Sequence, residues 1–155
     1  MAQVYLALGS NQGDRKALLH QAIDAIDCSL GRVDSISSFI ETEPWGFTSP
    51  HPFLNATLLL STELTPLELL DATQAIEREL GRRQKSDQAG YTDRPIDIDL
   101  LFYEDLILES PRLTLPHPLL HRRAFVLDPL LEIAPDLLHP ILGKTITELR
   151  AELDA

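Results

Sequence analysis

Along most of the chain, apolar residues either alternate with polar ones or recur every third and fourth place, and these two periods predict its elements. Gln3 to Leu8 reads as a buried strand ending at the turn Gly9 to Asp14. Leu18, Leu19, Ala22, Ile23 and Ile26 then fall at helical spacing, with Asp14 as N-cap and Gly31 as the stop. Val33 to Thr42 predicts a second strand. Glu43 to Pro52 holds three prolines, a glycine, Trp45 and Phe47, which excludes regular structure. Such a loop can wall a ligand or cap the core. Phe53 to Thr62 predicts a strong strand with one odd member, Asn55. Its amide needs partners, either backbone groups or a planar heterocycle.

Thr65-Pro66-Leu67-Glu68 opens a helix with Thr at N-cap, Pro at N1 and Glu at N3. Leu69, Leu70, Thr73, Ile76, Glu77 and Leu80 carry it to Gly81 as C-cap, and Gly81 to Asp93 reads as a polar, basic loop. Arg94 to Phe102 then alternates acid with aliphatic residues before turning apolar. Leu106 to Leu108 predicts a short strand, and Arg112 to Pro118 is extended by its prolines, with His117 held between two of them. Arg123 to Ile133 predicts a helix with Phe125, Val126, Leu130 and Leu131 inward and Pro129 interrupting it. Thr145 to Leu153 predicts a last helix capped by Thr145. The order β-α-β-β-α-β with a helical C-terminal portion predicts an α+β, ferredoxin-like fold, its helices on one face of a mainly antiparallel sheet. The strand from Phe53 would lie beside the strand from Ile96, bringing Asn55 and the acidic pair onto one surface.

A length of 155 residues fits one domain, 1–155. No apolar run reaches the ~20 residues of a membrane span, and Met1 to Tyr5 carries no signal pattern. The single cysteine, Cys28, excludes an intramolecular disulfide and is placed on the apolar side of its helix. A cytoplasmic protein is expected. The net charge of −11 argues against a nucleic-acid or membrane binder. Eight of the thirteen basic residues, however, fall between Arg78 and Arg123. They form either a local anion site or surface pairs with Glu77, Glu79 and Asp87.

The chemistry centres on Asp97 and Asp99. On a strand they share a face, with Cα atoms roughly 6.5–7 Å apart. Burying both without a cation costs several kcal/mol. Mg²⁺ suits such a pair, since it takes one or two carboxylates plus waters and phosphates. The alternative is the solvated face of an edge strand. The turn at Gly9 to Asp14 lacks both the Walker and the dinucleotide patterns and reads as a plain strand-to-helix connection.

Taken together, LALGSNQGD, ETEPWG with FLNA after it, QAIERELGR, DRPIDIDLLF, RLTLPHPLLHRRAFVL and DPLLEIAPD make the chain resemble the 6-hydroxymethyl-7,8-dihydropterin pyrophosphokinases of folate biosynthesis. The resemblance runs nearly end to end. It implies transfer of the terminal diphosphate of ATP to a pterin hydroxymethyl group, leaving AMP. It implies two Mg²⁺ ions on Asp97 and Asp99, and catalytic roles for Arg82 and Arg94 beside them. Thr42, Pro44, Trp45, Phe53, Asn55 and Phe125 would line the pterin pocket. Gln74, Glu77, Arg82, Arg94, Leu100, Arg112, Thr114, His117 and Arg123 would surround ATP. The flexible loops would be Gly9–Asp14, Glu43–Pro52 and Gly81–Asp93. This chain departs from many members at Gln84, where a second arginine is common and Arg83 and Lys85 flank the position. It departs also at Glu43, where a proline is common, and in the segment Ser86 to Asp93, where Tyr91 does not align with the family's aromatic. A monomer acting on ATP and the pterin is expected. The alternatives are a nucleotide-sensing ferredoxin-like module without catalysis and a two-metal phosphodiesterase, which would need more metal ligands than one Asp pair.

Overall fold

Leu6 and Val4 are fully buried and Leu8 nearly so, because the strand that carries them runs through the middle of the sheet. This strand, β1 (Ala2–Ser10), pairs antiparallel with β4 (Phe53–Thr62) on one side and with β5 (Asp97–Tyr103) on the other. β2 (Arg32–Ile36) adds to the far edge of β4, giving the order β2-β4-β1-β5, and β3 (Ile40–Thr42) pairs with the start of β4. The computed structural model describes residues 1–42, 52–83 and 95–153.

Strand alternation sends Val4, Leu6, Leu8, Leu58, Leu60, Ile98 and Leu100 to one face. There they meet α1 (Arg15–Ser29) through Leu18, Leu19, Ala22, Ile23 and Ile26, and α2 (Pro66–Arg83) through Leu69, Ile76 and Leu80. The other face presents Tyr5, Ala7 and Leu101 to α3 (Ala124–Ile133) and α4 (Ile146–Leu153), whose Val126, Leu127, Leu130, Ile146 and Leu149 are buried. Helices therefore cover both faces, not one as the sequence predicts. The cause is the C-terminal portion, whose apolar face can only be buried on the sheet side that α1 and α2 leave open. Each fully buried leucine contributes roughly 1.5–3 kcal/mol.

The predicted caps form. Asp14 accepts from Ala17 N at 3.1 Å. Thr65 and Glu68 exchange hydrogen bonds as a capping box, and Thr145 and Glu148 repeat it at α4. Gly31 follows α1 where a Cβ would lie 2.1 Å from Ser61 O, so the chain can only turn into β2 there without a side chain.

Elsewhere the structure differs. β1 continues through Gly9 and Ser10, residues assigned above to a turn, because β4 and β5 pair with them. The predicted strand Val33–Thr42 is broken between Ile36 and Ile40, where Ser37 exchanges hydrogen bonds with the Thr57 backbone and Ser38 binds Glu132 on α3. α2 runs past Gly81 to Arg83, since Gly81 sits in open space and the arginines after it are good helix formers. Cys28 is exposed, two residues past Ile26 and so about 200° around the helix from the buried stripe. β4 and β5 are not neighbours, since β1 separates them. The short strand at Leu106–Leu108 is shifted to β6 (Leu108–Glu109), which pairs with β7 (Thr114–Leu115).

Candidate active site

The separation of β4 from β5 does not scatter the site, because β1 carries the register across. Gly9 pairs with Asn55 on one side and Asp97 on the other, and Asn55 pairs in turn with Ile40. Residues directly opposite in antiparallel strands point to the same face. Asn55, Gly9 and Asp97 therefore form one row. Thr57, Ala7 and Asp99 form the next row on that face. Asp97 and Asp99 are half-buried while Ile96, Ile98 and Leu100 on the opposite face are buried, as the alternation predicts.

On the β4 side, Asn55 is 5% exposed. Its Nδ2 donates to Thr42 Oγ1 at 2.5 Å and to Ile40 O at 3.4 Å. Its Oδ1 stands over Gly9, 3.1 Å from where a Cβ would be, and Phe53 Cδ1 is 3.5 Å from the same point. Thr42, Phe53 and Asn55 thus gather at Gly9, whose missing side chain leaves room for the Asn55 amide and the Phe53 ring.

On the β5 side, α2 reaches over the sheet edge. Glu77 Oε2 accepts from Ile98 N at 2.7 Å. Burial pushes its carboxyl up to about 7, and a hydrogen bond with Asp97 and the charges of Asp97 and Asp99 add to the rise, against the Ile98 N–H that favours the ionised form. Three acidic side chains thus converge where negative charge is already costly.

Beyond them lies a cavity of about 280 Å³ between β5 and the 110–118 segment. Asp99, Leu100, Arg112, Thr114 and His117 line it, together with Leu70 and Ile98. Arg112 pairs with Asp71 at 2.5 Å. His117 N donates to Leu101 O at 3.0 Å, and its Nδ1 accepts from Leu119 N at 3.2 Å. The imidazole pKa is pushed down to about 4, first by burial and then by the Arg123 charge, with Asp97 pulling the other way. At neutral pH the ring is uncharged, with its proton on Nε2 as a donor. Arg123 precedes α3, and its guanidinium lies 5.5 Å from the centroid of the half-buried Phe125.

The structure thus gathers Thr42, Phe53 and Asn55 around Gly9, Asp97 and Asp99 beside Glu77, and Leu100, Arg112, Thr114 and His117 around the cavity. Gln74 stands one turn before Glu77 on α2 and does not line the cavity. Pro44, Trp45 and Arg94, the side chain of Arg82, and the loops 43–51 and 84–94 lie outside the described residues. Sequence reasoning missed Gly9 and Leu70. Leu70 had a usable signal, being one turn before Gln74 and two before Glu77 on the same helix face. Gly9 had none, because its role depends on pairing with two distant strands.

Among the described residues, no group of three or more His, Cys, Asp and Glu is arranged to hold a metal. The two half-buried Asp carboxylates are hard oxygen donors of the kind Mg²⁺ uses with waters and substrate oxygens. No helix among the described residues is long and apolar enough to cross a membrane.

Known proteins are similar to this chain. The family model for 7,8-dihydro-6-hydroxymethylpterin-pyrophosphokinase matches residues 5–135. The chain is 55% identical over 141 residues to the 2-amino-4-hydroxy-6-hydroxymethyldihydropteridine pyrophosphokinase of Porphyromonas gingivalis, covering 90% of this chain and 95% of that one. It is 41% identical over 145 residues to the folic acid synthesis protein fol1 of Schizosaccharomyces pombe, covering 93% of this chain and 19% of the relative. Its fold is similar to a crystal structure of a Plasmodium falciparum HPPK-DHPS triple mutant, with a TM-score of 0.80 at 17% identity, over 97% of this chain and 43% of that one. This chain thus spans less than half of that solved chain. The chain that builds this row of Asn55, Gly9 and Asp97 belongs to the 7,8-dihydro-6-hydroxymethylpterin-pyrophosphokinase family.

Proposed function

We propose that this member of a folate-synthesis pyrophosphokinase family transfers the terminal diphosphate of ATP to the hydroxymethyl group of 6-hydroxymethyl-7,8-dihydropterin. The observation that carries this reading is the single row holding Asn55, Gly9 and Asp97. It sets an amide suited to a planar heterocycle beside a carboxylate pair suited to phosphate chemistry. The order β2-β4-β1-β5 with antiparallel neighbours supports a ferredoxin-like arrangement for the sheet.

In the reaction, the hydroxymethyl oxygen bonds to the β-phosphorus of ATP. The bond from that phosphorus to the oxygen bridging to the α-phosphate breaks, AMP leaves with the electron pair, and the hydroxyl proton is released. Little covalent work falls to the protein, so positioning and charge neutralisation carry catalysis. Thr42, Phe53 and Asn55 hold the heterocycle, and Phe125 adds an aromatic surface from α3. Leu70, Ile98 and Leu100 give the cavity apolar walls for a base. Arg112, Thr114, His117 and Arg123 offer donors to the ribose and phosphates, Arg by forked hydrogen bonds. Arg82 and Arg94 would meet the phosphates, as the resemblance implies. Asp97 and Asp99 would hold Mg²⁺, which when bound neutralises charge on the phosphate oxygens.

The test is an assay for AMP with ATP, Mg²⁺ and the hydroxymethyl-dihydropterin. AMP formed in proportion to pterin diphosphate is the expected result. ATP binding with no AMP above background would favour a nucleotide-sensing module and overturn the reading.

A further inference from the structure

Arg15, the first residue of α1, belongs to neither the pterin set nor the ATP set, yet it is tied to the pterin side of the sheet. Its Nη1 donates to Pro52 O at 2.9 Å and its Nη2 to Glu41 Oε2 at 2.8 Å. Glu41 precedes Thr42, whose hydroxyl takes the Asn55 amide, and Pro52 precedes Phe53. The ladder between β3 and β4 is only three pairs long, and Thr42 with Phe53 is its last. A short ladder frays at its end, and one guanidinium spans the residues flanking that end. Arg15 is itself held, because Asp14 caps the same helix turn through Ala17 N.

An exposed ion pair alone contributes little. Glu41 is more than half exposed, so its charge is not the main element here. The Pro52 carbonyl is a fixed backbone acceptor, and a planar fork can meet it and the carboxylate together where an ammonium cannot.

We propose that Arg15 is a positioning residue for the pterin subsite, bridging Glu41 and Pro52 so that the Thr42–Asn55 hydrogen bond and the Phe53 ring keep the arrangement that receives the heterocycle. The inference rests on the pyrophosphokinase reading.

The experiment is steady-state AMP formation by the full chain and by Arg15→Ala and Arg15→Lys, each substrate varied in turn, with melting temperatures and a direct pterin titration followed by pterin fluorescence. Arg15→Ala is expected to raise the pterin KM and Kd about tenfold, the scale of one lost charge-assisted hydrogen bond. The ATP KM and kcat stay within about twofold on the same scale, and Arg15→Lys recovers part of the loss. An unchanged pterin KM in Arg15→Ala overturns the inference. So does a joint rise of both KM values with a lowered melting temperature, and so does a lysine variant as good as the unmodified chain. If the unmodified chain forms no AMP, the reaction reading itself falls and the inference with it. Normal turnover by the unmodified chain with an unchanged pterin KM in Arg15→Ala removes the inference alone.

Discussion

Asn55 and Asp97 stand in one row of the sheet, on either side of Gly9. With neighbouring strands about 4.8 Å apart, their backbones are separated by about 10 Å. The residue between them carries no side chain, and the Asn55 amide oxygen and the Phe53 ring close on the space its Cβ would take. Gly9→Ala would put a methyl group 3.1 Å from Asn55 Oδ1 and 3.5 Å from Phe53 Cδ1. Either Asn55 turns away or the floor rises. Pterin affinity is expected to fall about tenfold, roughly the value of one hydrogen bond to a buried group, with the far-UV spectrum unchanged. A pterin titration of the variant checks this, and unchanged affinity would count against Asn55 and Phe53 as the heterocycle's seat.

Asp97→Asn and Asp99→Asn keep shape and remove charge. Each is expected to cut turnover by about 100-fold or more, the scale seen when one transition-state stabilising group is lost. The fold should persist, because neither carboxylate belongs to the buried core. Near-normal turnover by either variant at saturating Mg²⁺ would sink the metal assignment.

Glu77 gives a pH signature. Its carboxyl is raised to about 7 in the folded chain from the ordinary 4.5. The folded state therefore binds more protons than the unfolded one between these values. The stability that protonated Glu77 contributes is present below pH 4.5 and is lost as pH rises through about 7. Glu77→Gln removes this slope while keeping an acceptor for Ile98 N–H. Its melting temperature relative to the unmodified chain is expected to rise steadily from pH 5 to pH 8. A constant difference across that range would contradict the shared, buried carboxyl.

His117 acts in the opposite sense. Its pKa is lowered to about 4 from 6.5. The neutral ring's contribution is whole above pH 6.5 and is lost as pH falls toward 4. His117→Gln keeps a side-chain donor but does not titrate. Its melting temperature should fall less than that of the unmodified chain on acidification from pH 6.5 to 4, as thermal scans in matched buffers would show. The ATP KM of the variant is expected to rise and the pterin KM to hold, because the ring lines the cavity on the β5 side.

Local signals in the chain foretold local structure. Asp14, Thr65 with Glu68, and Thr145 cap helices as the sequence predicts, and Glu148 completes a box with Thr145 that the sequence reading does not include. The alternation from Ile96 to Leu100 is enough to place the Asp pair on its face. Pairing was less legible. Nothing near Phe53 or Ile96 says that β1 lies between them, because strand order is set by contacts far apart in sequence. The second helical layer was missed for the same reason. Its apolar stripe is plain in Val126 and Leu130, but which sheet face receives it depends on what α1 and α2 have already covered. Gly81 misled because glycine marks helix ends only on average, and an exposed turn tolerates it. Glu77 was identified through the family pattern as an ATP neighbour. Its bond to the Ile98 amide could not be read there, since helix α2 and strand β5 meet only in the folded chain.

That bond has a consequence for how the molecule behaves among its own copies. Among the described residues β5 is the last strand on its side of the sheet, and such a strand offers unpaired backbone groups to any extended segment that drifts alongside. Here the Ile98 N–H is taken by the Glu77 carboxylate, and the Leu101 carbonyl is taken by His117 N. Asp97 and Asp99 add charge along the same border. A chain that tried to extend the sheet would have to displace a carboxylate and a proline-held backbone before making its first hydrogen bond. The groups proposed to serve the phosphates thus also keep the sheet from growing.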